Sequence, residues 1–279
     1  MKQWLCMGLC ALFLLSACEK KDSKPEQRLI LSKHRPEAQA WIKRIIERHE
    51  KGTKLAAEHL APGFTVQDDE RAEQMRVALR LMSQPPKGIS ELIASPKSFV
   101  AAVDLEGKVI ARDVKKQDDK MQGLSFSDYA PIKSALAGKA DHGLVKFKDD
   151  KGGPAAVSLL FAHPASSDDG VVGVVAVGIP LWRLAQAVSQ QLRIEYASEA
   201  NLILWAYLFY DGQFHHFSTP PEVDDALPSV AQMSARLRKS PNGFSDEMQV
   251  MGRAFGLGVF EAPRIADKVY VVIVRSDSK

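Results

Sequence analysis

The order strand, strand, helix, strand, strand, strand reads twice along this chain, and each copy opens on a hairpin turned by an acidic residue and a glycine. From Phe99 the apolar residues alternate with period two through FVAAVDL, turn at Glu106-Gly107-Lys108, and return through KVIARD, the pattern of a β-hairpin. A polar loop, KKQDDKMQG, leads to a short helix in SDYAPIKSALAG, with Ser127 as its cap and Gly138 as its stop. Three strands follow, in HGLVKFKD, AAVSLLFAHP and VVGVVAVGI, the first two joined by Asp149-Asp150-Lys151-Gly152-Gly153. A helix over 182–200, with Leu184, Val188, Leu192 and Tyr196 four apart, connects to the second copy. There LILWAYLFY, Asp211-Gly212-Gln213 and QFHHFS form the hairpin, a helix covers 230–238, and DEMQV, RAFGLGVFE and KVYVVIV are the closing strands. The fold class is α+β, with two similar antiparallel-sheet modules.

The segment before them is helical. Ala38, Trp41, Ile42, Ile45 and Ile46 fall on one face, with Lys43, Arg44, Glu47 and Arg48 opposite. The helix opens at Pro36 and stops at Pro62-Gly63. A second helix runs from the caps Asp68 and Asp69 to Ser83, ahead of Pro85-Pro86. Residues 19–35 are polar and charged and read as a tether.

All three cysteines, Cys6, Cys10 and Cys18, lie in the first eighteen residues. Lys2 followed by the apolar run Leu5 to Leu15 has the composition of a secretion signal. Leu15-Ser16-Ala17-Cys18 resembles the lipobox of bacterial lipoproteins. That resemblance implies lipidation at Cys18, loss of Cys6 and Cys10, and, with Glu19 next, delivery to the outer membrane of a two-membrane host. A mature chain without thiols has no disulfide, cysteine nucleophile or Cys-metal site. Removing Lys2 with the leader lowers the formal charge from +3 to +2, too mild a balance for nucleic acid.

VDLEGKVIARD, GLSFSDYAPIKSALAGK and GVVGVVAVGIPLWRLAQAV resemble the Cache domains of bacterial extracytoplasmic sensors. These are PAS-like sheets with a ligand cavity between the sheet and a covering helix. The resemblance is good from about Ile89 to Val188, and a long N-terminal helix before two modules matches the double-Cache arrangement. Members that bind free amino acids carry Arg-x-Trp-Tyr at the start of the covering helix and an aspartate near the end of the last strand. Here the first stretch is Phe126-Ser127-Asp128-Tyr129 and Gly178 stands at the second, so a free amino acid is a poor candidate ligand. Family members usually continue into a membrane helix and a cytoplasmic signalling domain, and this chain stops at Lys279.

The candidate ligand-binding residues lie in the first module. Arg112 ends the second strand with a rigid donor fork suited to an anion, beside Asp113. Tyr129 could offer its hydroxyl to a cavity, with Ser158 and Lys146 on nearby strands. A surface ion pair, packing on the sheet and solvation are the competing readings of these residues. The five Asp-Asp pairs beginning at Asp68, Asp118, Asp149, Asp168 and Asp224 read as caps and solvated turns. His215 and His216, adjacent on a strand, face opposite ways. No metal site, catalytic residue or cofactor is expected, and neither a Gly-x-Ser-x-Gly elbow nor a phosphate loop is present.

The expected organisation is a lipoprotein signal over 1–18, the tether over 19–35, a helical region over 36–88, a membrane-distal Cache-like module over 89–182, and a connecting helix with a smaller module over 183–279. The expected role is a lipid-anchored extracytoplasmic sensor that binds a small polar metabolite, with loop 114–124 as a lid, and signals to a membrane-embedded partner. The alternative is an envelope scaffold whose cavity is filled by its own Phe and Leu, with Trp41 and Ile45 as a docking face.

Overall fold

The computed structural model describes residues 29–66, 70–93, 96–147 and 156–276. Cys18, the caps Asp68 and Asp69 and the 149–153 turn lie outside these. A helical turn over Ile30–His34 runs directly into helix α1, Arg35–Phe64. Helix α2, Arg71–Met82, and the short α3, Ser90–Ile93, follow. The first sheet is built from β1 (Phe99–Val103), β2 (Val109–Arg112), β3 (Asp141–Phe147), β4 (Ala156–Ser167) and β5 (Gly170–Pro180), with α4 (Ala130–Leu136) between β2 and β3. Helix α5, Leu181–Glu195, leads to β6 (Leu204–Tyr210) and β7 (Gln213–His215). Helices α6 (Pro221–Ala226) and α7 (Val230–Lys239), then β8 (Gly243–Val250), β9 (Arg253–Glu261) and β10 (Tyr270–Ser276), complete the described chain.

Each sheet is fully antiparallel. The strand orders are β2-β1-β5-β4-β3 and β7-β6-β10-β9-β8, the same arrangement twice. In both, the hairpin turn carries its glycine at positive φ, at Gly107 and Gly212, a conformation that glycine adopts without a Cβ clash.

One face of each sheet points towards α1 and α5, and there a single apolar core runs the length of the molecule. It joins Ile42, Ile46, Leu60 and Phe64 of α1 to Val175, Val177 and Ile179 of the first sheet and to Phe260, Val271 and Ile273 of the second. The opposite faces carry separate cores, under α4 in the first module and under α6 and α7 in the second. Ile45 lies in the shared core and Trp41, partly buried, packs against it, so the face read as a docking surface is largely taken up by the chain's own packing.

Several boundaries differ from the sequence reading, among them the end of the connecting helix at Glu195 and of β7 at His215, which leaves His216 outside the strand; three others have a direct physical reason. The helix starts six residues before Pro36, because Ile30 and His34 are fully buried and burial outweighs the polar composition around them. It also passes Pro62 and ends at Phe64. The missing N–H of Pro62 costs one bond in the last turn, while the Phe64 ring gains a seat in the core. Helix α4 begins at Ala130 with Tyr129 as an extended N-cap. Ser127 does not cap it; its hydroxyl pairs with that of Ser125 at 2.8 Å.

Both ends of the helical rod sit on a glycine. A Cβ on Gly173 of β5 would collide with the Phe64 ring, and one on Gly258 of β9 would collide with Ile30. Gly258→Val is therefore expected to destabilise the protein by about 1–3 kcal/mol through overpacking. In urea unfolding, Ile30→Ala in the same background should recover part of that loss.

Candidate functional site

The five residues singled out in the sequence do not converge. Arg112 and Asp113 lie at the β2 edge of the first sheet and Lys146 at the β3 edge. Four strand spacings separate those edges, about 19 Å, too far for one small ligand. Lys146 instead pairs with Asp211 in the β6–β7 turn, linking the two modules at their surface. Asp113 accepts a hydrogen bond from the Val100 amide at 2.9 Å. Burial raises its pKa, opposed by that bond and by nearby Lys97. Ser158 is buried between its strand partners Val145 and Pro180. Tyr129 is half-buried and donates to the Lys146 carbonyl at 3.4 Å.

Arg112 is engaged within the protein. Its Nε donates to Asp119 Oδ1 at 2.9 Å, its Nη2 to the Asp118 carbonyl at 3.2 Å, and its Nη1 lies 3.3 Å from Met121 Sδ. Asp119 also receives Arg76 Nη1 at 2.5 Å and the backbone amides of Arg112 and Met121. Arg76, only 1% exposed on α2, further donates to Glu73 and to Gln122 Oε1. Two guanidinium groups thus share one buried carboxylate, and the node ties loop 114–124 to both α2 and β2. The Asp118 pair, read as a solvated turn, therefore contains a fully buried anchor. A flat run of charges such as KKQDDK gives no signal for it, because its partner Arg76 lies 43 residues away.

The face of the first sheet under α4 is where the fold could hold a ligand. Aromatic rings occupy it. Phe99 and Phe126 are 2% and 1% exposed, and with Phe147 and Tyr129 they form a cluster with centroid separations of 5.3–6.2 Å. Val109, Ile132, Val145 and Leu160 complete the filling. The Phe99 ring lies directly over Gly178, where any Cβ would collide with it. Gly178 departs from the aspartate of the amino-acid-binding pattern, and Phe99 covers that position.

Open clefts lie elsewhere. One of about 600 Å³ runs between α1 and the β3–β4 edge, lined by Glu50, Lys54, His142 and His163 among others. Another, of about 500 Å³, lies between α7 and β8 in the second module, lined by Leu227, Pro228, Gln232, Arg236, Asp246 and Met248. Arg236 pairs with Asp246 across it and lies over the Phe244 ring. Among the described residues no group of three or more His, Cys, Asp or Glu side chains could hold a metal ion, and no helix is long and apolar enough to cross a membrane.

No protein-family profile matches the chain, and no curated protein matches it. Solved structures do. The domain of a putative sensory box/GGDEF family protein from Vibrio parahaemolyticus superposes with a TM-score of 0.59 at 12% identity, covering 92% of this chain and 98% of that one. The sensor domain of the V. cholerae histidine kinase DctB gives 0.53 at 13% identity, with 91% and 99% covered. The ligand-binding domain of a Campylobacter jejuni chemoreceptor, in complex with L-valine, gives 0.54 at 13% identity, with 91% and 92% covered. The chain also covers 39% of an extracellular ligand binding receptor from Desulfohalobium retbaense, with 87% of itself matched, a TM-score of 0.52 and 14% identity. This chain has their fold. It is the double-module Cache, PAS-like architecture: a long N-terminal helix and two five-stranded antiparallel sheets.

Two outcomes test this account of the site. Asp119→Asn removes the buried carboxylate shared by Arg76 and Arg112 and leaves buried Arg76 only the half-exposed Glu73 as a counter-charge, which should cost about 3 kcal/mol. Burial opposes ionisation of Asp119, but Arg76 and Arg112 hold its pKa below the ordinary aspartate value. Its stabilisation is present above that value and is lost as pH falls through the folded-state pKa, so the variant should lack this acid-sensitive component in pH-dependent urea melts. Phe99→Ala should cost about 3–5 kcal/mol, and a small aromatic such as toluene should raise the melting temperature of that variant and not of the parent.

Proposed function

We propose that the chain is an extracytoplasmic recognition module of Cache type, held at a membrane through lipid on Cys18 and acting by contact with another envelope protein. In this reading the first module does not enclose a metabolite. The observation that carries it is the Phe99 ring over Gly178, sealed by Phe126, Phe147 and Tyr129. A cavity filled by rings packed to interior density has no room for a polar ligand without a large rearrangement. The Asp119 node supports the same reading, since it holds loop 114–124 in place and spends the donors of Arg112 on the chain itself. The outer-membrane address follows from Glu19 after Cys18, and the partner is a membrane-embedded signalling protein.

A second reading, small-molecule sensing, rests on the cleft between α7 and β8, where Arg236, Asp246 and Gln232 converge beside Leu227 and Met248. There an incoming carboxylate or amine would exchange with one partner of the Arg236–Asp246 pair. The neighbours in fold include ligand-binding domains, which favours keeping this reading.

A thermal-shift screen of residues 19–279 against amino acids, organic acids, amines, sugars and nucleobases separates the two. The first reading expects no compound to raise the melting temperature in a concentration-dependent manner. A shift abolished by Arg236→Ala would move the function to the second module. In cells, Cys18→Ser should transfer the protein from the membrane fraction to the soluble fraction.

A further inference from the structure

The second module carries two hairpins with two-residue turns, and they obey different rules. The β6–β7 turn is Asp211-Gly212, with φ of 49° and 72°, closed by the Tyr210–Gln213 pair. The β8–β9 turn is Met251-Gly252, with φ of 51° and 76°, closed by the Val250–Arg253 pair. Positive φ at both central positions selects Asn, Asp or Gly at the first. Asp211 follows that preference. Met251 does not, and its side chain is also 82% exposed. A large apolar residue in a left-handed turn, and in water, is unfavourable on both counts. Conflicts of this kind with local preference are expected at functional positions.

Its place in the fold says what it meets. The strand pairing puts the β8–β9 turn, the C-terminal end of β10 and the start of β6 at one end of the second module. The first described turn of the chain is at this end too, since Arg275 Nη1 donates to His34 Nε2 at 2.9 Å. Ile194, 69% exposed in the last turn of α5, shares this end, beside Arg193, whose Nε donates to the Leu204 carbonyl. Exposed Lys33 adds a positive charge above the Tyr196 ring.

The end is also rigid. Arg275, 3% exposed, joins His34 to Glu199. Tyr196 donates to Glu37 at 2.5 Å. Arg253 Nη2 donates to the Asn201 carbonyl at 3.2 Å and to Ser276 Oγ at 2.9 Å, which fixes the base of the Met251 hairpin.

Leu29 stands eleven positions after Cys18, so a lipid on Cys18 keeps this end within about 40 Å of the bilayer. Helix α1, with 30 residues, carries the first module about 45 Å further along the rod. We infer that the bilayer that holds the anchor is also a docking surface. Met251 and Ile194 enter the headgroup–acyl boundary as apolar wedges, with Lys33 and Arg193 against anionic phosphates. The occupant is a phospholipid surface. The anchor supplies the high effective concentration that makes two small wedges sufficient, and the seated module stands upright with its distal half presented to the partner. This rests on the reading of Cys18 as lipidated.

The thiol-free mature chain makes the test direct. Met251→Cys, labelled with an environment-sensitive fluorophore, is compared with Leu124→Cys on the distal module. Both are placed on vesicles containing anionic phospholipid, once through the native lipid and once as residues 19–279 tethered by an N-terminal hexahistidine tag on chelating lipid. The second arrangement keeps seating separate from lipidation. The expected result is a blue-shifted emission and several-fold stronger quenching by spin-labelled lipid for the label at position 251 than for the label at position 124, in both arrangements. Met251→Asn should raise the melting temperature in solution, because Asn suits the turn, while returning an Ile194→Cys label to an aqueous emission on vesicles. If the label at position 251 is as water-exposed as the one at position 124 on tag-tethered vesicles, the inference is overturned whatever the state of Cys18. Seating on the tag with no membrane fraction in cells would instead retain the docking surface and reject the lipid anchor.

Discussion

The two sheets are held in one body by a single helical rod whose ends press into glycine positions, Ile30 against Gly258 and Phe64 against Gly173. The rod and α5 supply the apolar face on which both sheets lie, so each module buries one side against a shared element and the other under its own helices. A sheet of five strands exposes two apolar faces, and a chain of two such sheets has to cover four. Sharing one helix between two of those faces removes the freedom with which the modules would otherwise move. The Lys146–Asp211 pair adds a surface contact between them, though an exposed ion pair of this kind contributes little by itself.

Rigidity changes what the first module can do. Between the first sheet and its covering helix, Phe99, Phe126 and Phe147 fill the space with the chain's own rings. The loop that would close over a ligand is pinned by a carboxylate shared between Arg76 and Arg112. The desolvation cost of burying three charged groups is offset by hydrogen bonds that satisfy Asp119 from several directions, and the geometry is fixed as a result.

Much of the architecture was legible along the chain. The alternation in FVAAVDL and KVIARD, the glycine turns, and the apolar stripe from Ala38 to Ile46 are local signals with a fixed period, and the observed strands and helix follow them. The candidate site was less legible. Arg112 reads the same in sequence whether its fork meets a ligand or Asp119, because Asp119 lies in an irregular loop whose course no period sets and which is held by distant Arg76. Helix α6, at Pro221–Ala226, has no legible sequence signal because six residues are too few to establish a period. The start of the rod is hidden in the sequence because Ile30 and His34 sit in a charged stretch, and only the second sheet gives their burial a reason.

The sequence by itself determined the repeated element order, the positions that need glycine in the hairpin turns, and the absence of any thiol after Cys18. Each depends on residue type and short-range periodicity. The tertiary structure alone decided that Phe99 fills the space over Gly178, that Arg112 is engaged by its own chain, and that Met251 stands exposed at the end where His34 meets Arg275. Those outcomes depend on which distant residues share a few ångströms, a property set by the packing of the sheets against the rod.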